Sequence, residues 1–364
     1  MAVQSAIDLF CGAGGLSAGF QQAGFEVLVG NDFNESAGKT FSLNHPNAKF
    51  LPGSVQELSA SKILAEAGIR RGELTCLIGG PPCQGFSVYN HQRGMHDERS
   101  HLFKDYLRLV GGLLPQWIVM ENVTGLLSIE SGAVVNLIAR GLENLGYRVR
   151  WEILKAEEYG VPQERRRVVF IGTRTDCEIA FPQKTHGVGL KPFVTVKKAI
   201  GDLPELENGG KIVPKRGKPQ NHDAPKLSSI NLERMKHIPQ GGSWRDIPFD
   251  LLPEGMKRAK RSDHTKRYGR MRWNGLSCTV LTKCDIHWGA YIHPTQDRAI
   301  SVREAARLQS FPDDFVFTGC MTDQFVQVGN SVPPLMARRI AEAIKQASSV
   351  LGAESNMLPA SLVA

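Results

Sequence analysis

The chain has 364 residues, 41% apolar and 22% charged, with a net charge of +8. That balance belongs to a globular protein of two or three domains and excludes a disordered chain. No run approaches the roughly 18 apolar residues of a membrane span, and no basic segment followed by an apolar core opens the chain. The seven scattered cysteines show no CxxC pair and no zinc spacing, so the expectation is a cytoplasmic protein with reduced thiols and no metal.

Ala6 to Phe10 reads as a short buried strand, and Cys11-Gly-Ala-Gly-Gly15 follows at once. Leu16 to Ala23 has helical spacing, with Gly24 as its stop. A strand, a glycine turn and a helix in that order let a ligand approach the backbone at a helix N-terminus. A second strand, Glu26 to Gly30, ends in Asn31-Asp32-Phe33, and an acid at that tip can accept hydrogen bonds from ribose hydroxyls. Ser17 stands where a dinucleotide-binding GxGxxG loop has its third glycine. The unit therefore points to another nucleoside-containing cofactor, or to a plain strand–helix turn.

Lys49 to Leu51 is a third strand, and Gln56 to Ala67 has helical character. The apolar run Leu74 to Ile78 then leads into Gly79-Gly-Pro-Pro-Cys-Gln-Gly-Phe-Ser87. A buried strand thus ends at a proline-stiffened turn with Cys83 at its tip. In an open parallel sheet ligands bind beyond the carboxyl ends of the strands, where a nucleophile is wanted. The competing reading is an inert buried cysteine, and the flanking prolines and Gln84-Gly85 argue against it. Val88 to Ser100 is a polar loop carrying His91, Arg93, His96 and Arg99, of a composition able to fold over a substrate.

Leu102 to Leu114 returns to helical spacing. Trp117 to Met120 is another buried strand, ending in Glu121-Asn122-Val123, and neighbouring parallel strands would set Glu121 beside Cys83 as a proton donor. A helix over Ala133 to Leu145 precedes two late strands that bracket Gln163-Glu-Arg-Arg-Arg167. Those arginines would enter the cleft as fixed donors or form a solvated cluster. The alternation of strands and helices predicts an α/β fold, a doubly wound, mostly parallel sheet.

Past Phe181 the periodicity fades. Lys184 to Arg272 carries 20 Lys and Arg against 9 Asp and Glu, while the remainder carries 24 against 27. One basic segment on a mildly acidic body suggests that a polyanion meets it. The expected organisation is a catalytic and cofactor-binding domain over 1–183 and a second, smaller domain over 184–321. The latter includes a helix near 301–310, opened by a Ser301/Glu304 capping box. Gln327 to Pro334 reads as a turn, a C-terminal helix within 322–347 returns to the first domain, and 348–364 is a flexible tail.

Six stretches in order resemble the motifs of the bacterial DNA (cytosine-5) methyltransferases and span nearly the whole chain. They are DLFCGAGGLSAGF (Asp8 to Phe20), GGPPCQGFS (Gly79 to Ser87), MENV (Met120 to Val123), QERRR (Gln163 to Arg167), REAARLQSFP (Arg303 to Pro312) and QVGNSVPP (Gln327 to Pro334). The resemblance implies a Rossmann-like methyltransferase domain that uses S-adenosylmethionine, with a target-recognition domain where the basic segment lies. It implies that Cys83 is the nucleophile, Glu121 the acid on the base edge, and Arg165 and Arg167 the base-anchoring arginines. It places the cofactor against Phe10, Gly12, Ala13, Gly14, Asp32, Phe33, Val55, Leu102, Asn330 and Ser331. Ser54 stands where the family has an acid at the adenine amine.

DNA contacts are assigned to Gln84 and Ser87, beside Cys83, and to Arg93 and Thr279. The implied reaction is methyl transfer to carbon 5 of a flipped-out cytosine in a specific double-stranded DNA sequence, through a covalent Cys83 adduct. The expected enzyme is a monomer without membrane attachment. It acts alone or beside a restriction endonuclease that shares its site without binding it. An RNA cytosine-5 methyltransferase of similar fold is the rival. Amino-group DNA methyltransferases place an aromatic residue where Cys83 stands.

Overall fold

The computed structural model describes residues 4–82, 102–213, 220–260, 262–263 and 266–355. The chain divides into two compact units, one of Met1–Lys155, Arg166–Lys184 and Pro334–Ala364, the other of Ala156–Arg165 and Thr185–Pro333. The segment Ala156–Arg165 falls in the second unit rather than with its sequence neighbours because it is stitched to Ser277. Glu164 N donates to the Ser277 carbonyl, and Ser277 N donates to that of Pro162.

The first unit opens with β1 (Ser5–Leu9), α1 (Gly15–Gln22), β2 (Glu26–Asp32), α2 (Glu35–Asn44), β3 (Lys49–Pro52) and α3 (Ala60–Ala67). It continues with β4 (Cys76–Gly79), α4 (Leu102–Leu113), β5 (Trp117–Val123), α5 (Ala133–Asn144), β6 (Arg148–Lys155) and β7 (Arg166–Thr173). Short runs rich in valine, isoleucine and leucine give strands buried on both faces, as a helix-covered parallel sheet requires. The seven strands run in the order β3-β2-β1-β4-β5-β7-β6. The first five pair in parallel, and β7 is antiparallel to both β5 and β6. The order reverses between β1 and β4, so their carboxyl ends open a crevice at the switch point.

One face of the sheet buries Ile7, Leu9, Val29, Leu77, Ile118, Met120 and Phe170 against Ile63 of α3, Leu109 and Val110 of α4, and Ile138 and Leu142 of α5. Tyr106 in α4 points its hydroxyl at the carbonyls of Leu77 and Val119, both 3.1 Å away, which ties that helix to the sheet. On the other face α2 lies on Gly30, where a Cβ would come within 2.3 Å of the Phe41 ring.

The second unit holds short helices, α6 (Val196–Ile200), α7 (Ser229–Lys236), α8 (Glu254–Lys257), α9 (Val302–Leu308) and α10 (Met321–Asn330), joined by irregular chain. The capping box expected at α9 is present, with Ser301 and Glu304 exchanging side-chain and backbone bonds. Gln327 to Asn330 is not a turn but the end of α10, because Phe325 and Val328 carry a buried helical stripe through the glycine. The last helix, α11 (Pro334–Ser355), belongs to the first unit and packs on α1. It runs past Ser348, where a tail was expected, since its Ala- and Ser-rich end has no breaker stronger than Gly352.

Candidate active site

The switch-point crevice of the first unit gathers the chemistry. Between β1 and α1 the backbone takes three left-handed residues, Phe10 (φ 58°), Gly12 (φ 54°) and Gly14 (φ 93°). A non-glycine residue there is strained by about 1 kcal/mol or more, so the fold must hold the turn from outside. It does so through β2. Cys11 N donates to the Asn31 carbonyl at 2.9 Å. Gly12 N donates to Asp32 Oδ2 at 2.8 Å, and Asn34 N donates to Asp32 Oδ1 at 2.8 Å. Burial raises the pKa of Asp32, and the hydrogen bonds from Asn34, Gly12 and Phe33 oppose that rise. Each Asp32 oxygen keeps lone pairs for further donors. A Cβ on Gly12 would meet nothing within 4 Å, so the space over the turn is open, and the adjacent Phe33 ring is 71% exposed.

Glu121 and Arg167 meet at the ends of β5 and β7. Because β7 runs antiparallel, its first residues arrive at the edge where β5 ends, with Val123 opposite Arg167 and Glu121 opposite Val169. Residues two apart on neighbouring strands share a face, so the two side chains converge. Arg167 Nε lies 2.6 Å from Glu121 Oε1, and both side chains are largely buried. The carboxyl expected as a proton donor is therefore paired with a guanidinium. The end of β4 abuts this pair. A Cβ on Gly80 would lie 3.1 Å from Glu121 Oε2, and Asn122 Nδ2 donates to the Pro81 carbonyl at 3.0 Å. The acid, the cation and the Gly79–Pro82 turn are thus fastened together immediately before Cys83. Cys83 itself, with Gln84, Ser87 and Arg93, lies outside the described residues.

A family model for the C-5 cytosine-specific DNA methylase matches residues 4–346. The chain belongs to this family. It is 39% identical to the Type II methyltransferase M1.HphI of Haemophilus parahaemolyticus over 93% of this chain and 86% of that protein. It is 34% identical to the Type II methyltransferase M.AgeI of Thalassovita gelatinovora over 94% of this chain and 99% of the other. The crystal structure of a DNA modification methyltransferase encoded within an E. coli prophage superposes with a TM-score of 0.75 at 28% identity, covering 95% of this chain and 99% of that one. The methylase is thus an enzyme acting on carbon 5 of cytosine in DNA.

The site residues that the sequence grouped are drawn from both units of the methylase. Arg165 is 1% exposed, and its guanidinium donates to the carbonyls of Val280 (3.1 Å), Gly329 (2.9 Å) and Ser331 (2.9 Å). It braces the backbone on both sides of Asn330. Asn330 and Ser331 belong to the second unit, whereas Phe10, Gly12, Ala13, Gly14, Asp32, Phe33, Val55 and Leu102 belong to the first. Val55 is buried and its carbonyl accepts from Arg108 at 2.9 Å, while Leu102 opens α4. Ser54 caps the short turn Val55–Glu57, with its hydroxyl 3.3 Å from Gln56 N.

The Thr279 hydroxyl of the methylase donates to the Glu164 carbonyl at 2.6 Å. Two residues given no role in the sequence reading hold these motifs together. Asn122 does so at Pro81. Gln163, fully buried, bonds Val280 N at 2.9 Å and both the Leu308 carbonyl and Gln309 Oε1 at 3.0 Å. An amide beside a run of charges in an otherwise apolar setting is the one signal that could have found them.

Proposed function

We infer that the methylase works through a Cys83 thiolate that adds to carbon 6 of a cytosine taken out of the duplex, with S-adenosylmethionine as donor. Carbon 5 of cytosine is a poor nucleophile, and thiolate addition at carbon 6 converts the ring into an enamine. Carbon 5 can then form its bond to an electrophilic methyl, which the sulfonium cofactor supplies when bound. Loss of the carbon-5 proton and re-formation of the 5,6 double bond expel the thiolate. During addition negative charge grows on the ring. Glu121 at ring nitrogen 3 and Arg167 at the carbonyl oxygen would stabilise it as a pre-positioned donor pair.

The observation that carries this reading is the 2.6 Å Glu121–Arg167 contact held against the segment that delivers Cys83. A stacked base cannot reach that geometry, so the cytosine must be flipped at a cost of a few kcal/mol. Gln84 and Ser87, next to Cys83, are the proposed contacts to the displaced strand or its phosphates, and Arg93 is a further proposed DNA contact.

The first-unit turn suits the cofactor by its own geometry. The open left-handed backbone of Phe10–Gly14 and the N-terminus of α1, which has no side-chain cap, would take the amino-acid end. Asp32 would hold the ribose and Phe33 lie on the adenine. The second unit is proposed to read the target DNA as a monomer, and Type II relatives suggest modification of a site that a separate endonuclease also cuts. Cys83→Ser should abolish methyl transfer to plasmid DNA while binding of S-adenosylhomocysteine by calorimetry is preserved. Sustained turnover by that variant would refute the nucleophile.

A further inference from the structure

We propose that His45, which lies in none of the family-like motifs, is a positioning residue that sets the cofactor turn from behind. The proposal rests on reading that turn as the donor site. His45 caps the C-terminus of α2, is 1% exposed, and packs its ring 4.6 Å from that of Phe41. The ring lies across the first two turns of α1. At one end it faces Gly14, where a Cβ would fall 2.2 Å from Nε2. At the other end Nδ1 lies 2.7 Å from Gln21 Oε1.

Burial pulls the His45 pKa down to about 4, so the ring is neutral and carries a single N–H. Because Nδ1 meets an amide oxygen, it is Nδ1 that carries the N–H and donates to Gln21 Oε1, and Nε2 is the acceptor nitrogen that faces Gly14. The brace is therefore directional. It fixes the left-handed cap at Gly14 relative to the body of α1 and, through α2, relative to Asp32. A clamp on this strained turn makes the backbone amides ready before the ligand arrives, which is where affinity is gained.

The test compares His45→Leu, which keeps bulk without hydrogen bonds, with His45→Gln, whose amide can both donate and accept. The account expects His45→Leu to weaken S-adenosylhomocysteine binding by about tenfold in calorimetry, the scale of one buried hydrogen bond. It expects a matching rise in the donor KM with kcat at saturation little changed, and substantial recovery of both in His45→Gln. A purely structural histidine would lower the melting temperature and leave the dissociation constant alone. That result, with wild type binding normally, overturns the proposal and spares the donor-site reading. Failure of wild-type protein to bind S-adenosylhomocysteine would overturn both. Should His45→Leu not fold, Gln21→Leu serves instead and must weaken binding in the same direction; unchanged affinity there contradicts the brace.

Discussion

Asp8 is wholly buried, takes one hydrogen bond from Ser17 Oγ at 2.6 Å, and has no partner for Oδ1 among the described residues. Burial pushes its pKa up to about 7, with the nearby Asp32 adding to the rise and the Ser17 bonds opposing it. The folded chain therefore holds this proton more tightly than the unfolded chain, whose aspartate titrates near 3.8. The resulting stability is complete below about pH 4 and is lost as pH rises through about 7. At about 1.36 kcal/mol per unit, the span is on the order of 4 kcal/mol. Asp8→Asn keeps an acceptor for Ser17 and cannot titrate. Its unfolding free energy should fall less than that of wild type between about pH 4.5 and pH 7.5 by an amount of this order. Parallel curves for the two proteins would contradict the buried acid.

The same scale shows what sequence could not separate. Arg165 and Arg167 are two residues apart in one basic run, and both read as donors to a base. Only Arg167 lies in β7, where register sets it on the face of Glu121. Arg165 sits in the bend before the strand and turns into backbone carbonyls contributed from Val280, Gly329 and Ser331. That choice depends on chain more than a hundred residues away.

Among the elements, the strands were the most legible, because β1, β4 and β5 are short apolar runs bounded by glycine, proline or charge. The glycine turn after β1 was equally plain. The end of α10 was not, since Gly329-Asn330-Ser331 carries turn chemistry and the buried stripe that keeps it helical is set by tertiary packing. The α1–α11 contact was also hidden in sequence. It depends on Gly19, where a Cβ would lie 2.4 Å from Ala337 Cβ and 2.5 Å from the Pro334 carbonyl. Helix propensity alone predicts that Gly19→Ala stabilises by up to about 1 kcal/mol. Overpacking against backbone predicts the reverse, a loss of roughly 1–3 kcal/mol. The second effect should win, because the obstructing carbonyl cannot rotate away. A lowered melting temperature in Gly19→Ala is expected, and a raised one would show that the two helices have room to part.

For the whole molecule, the charge balance foretold a polyanionic substrate, yet the tally overstates the cations available to it. Arg270, inside the basic segment, is 6% exposed and spends its guanidinium on the carbonyls of Ile238, Met235, His293 and Gln296 and on Asp297. Beyond that segment, Arg298 and Arg303 are buried in the same manner, the first bonded to both oxygens of Glu304 and the second to the carbonyls of Gln220, Pro312 and Phe315. A unit with so little regular secondary structure has backbone carbonyls without ladder partners. Arginine, with five donors in a rigid fork, supplies them. Part of what looks like a DNA-binding signal is thus internal scaffolding.

The central claim joins donor, flipped base and sulfur in one reaction, and trapping tests it most directly. Wild-type methylase would be incubated with S-adenosylmethionine and duplex DNA carrying 5-fluorocytosine at its methylation site, then digested and analysed by mass spectrometry. The fluorine blocks loss of the carbon-5 proton, so the account predicts a stable adduct on the peptide containing Cys83, with the methyl group already on the base. An enzyme preparation that methylates ordinary DNA but gives no adduct, or gives one at another residue, would contradict it.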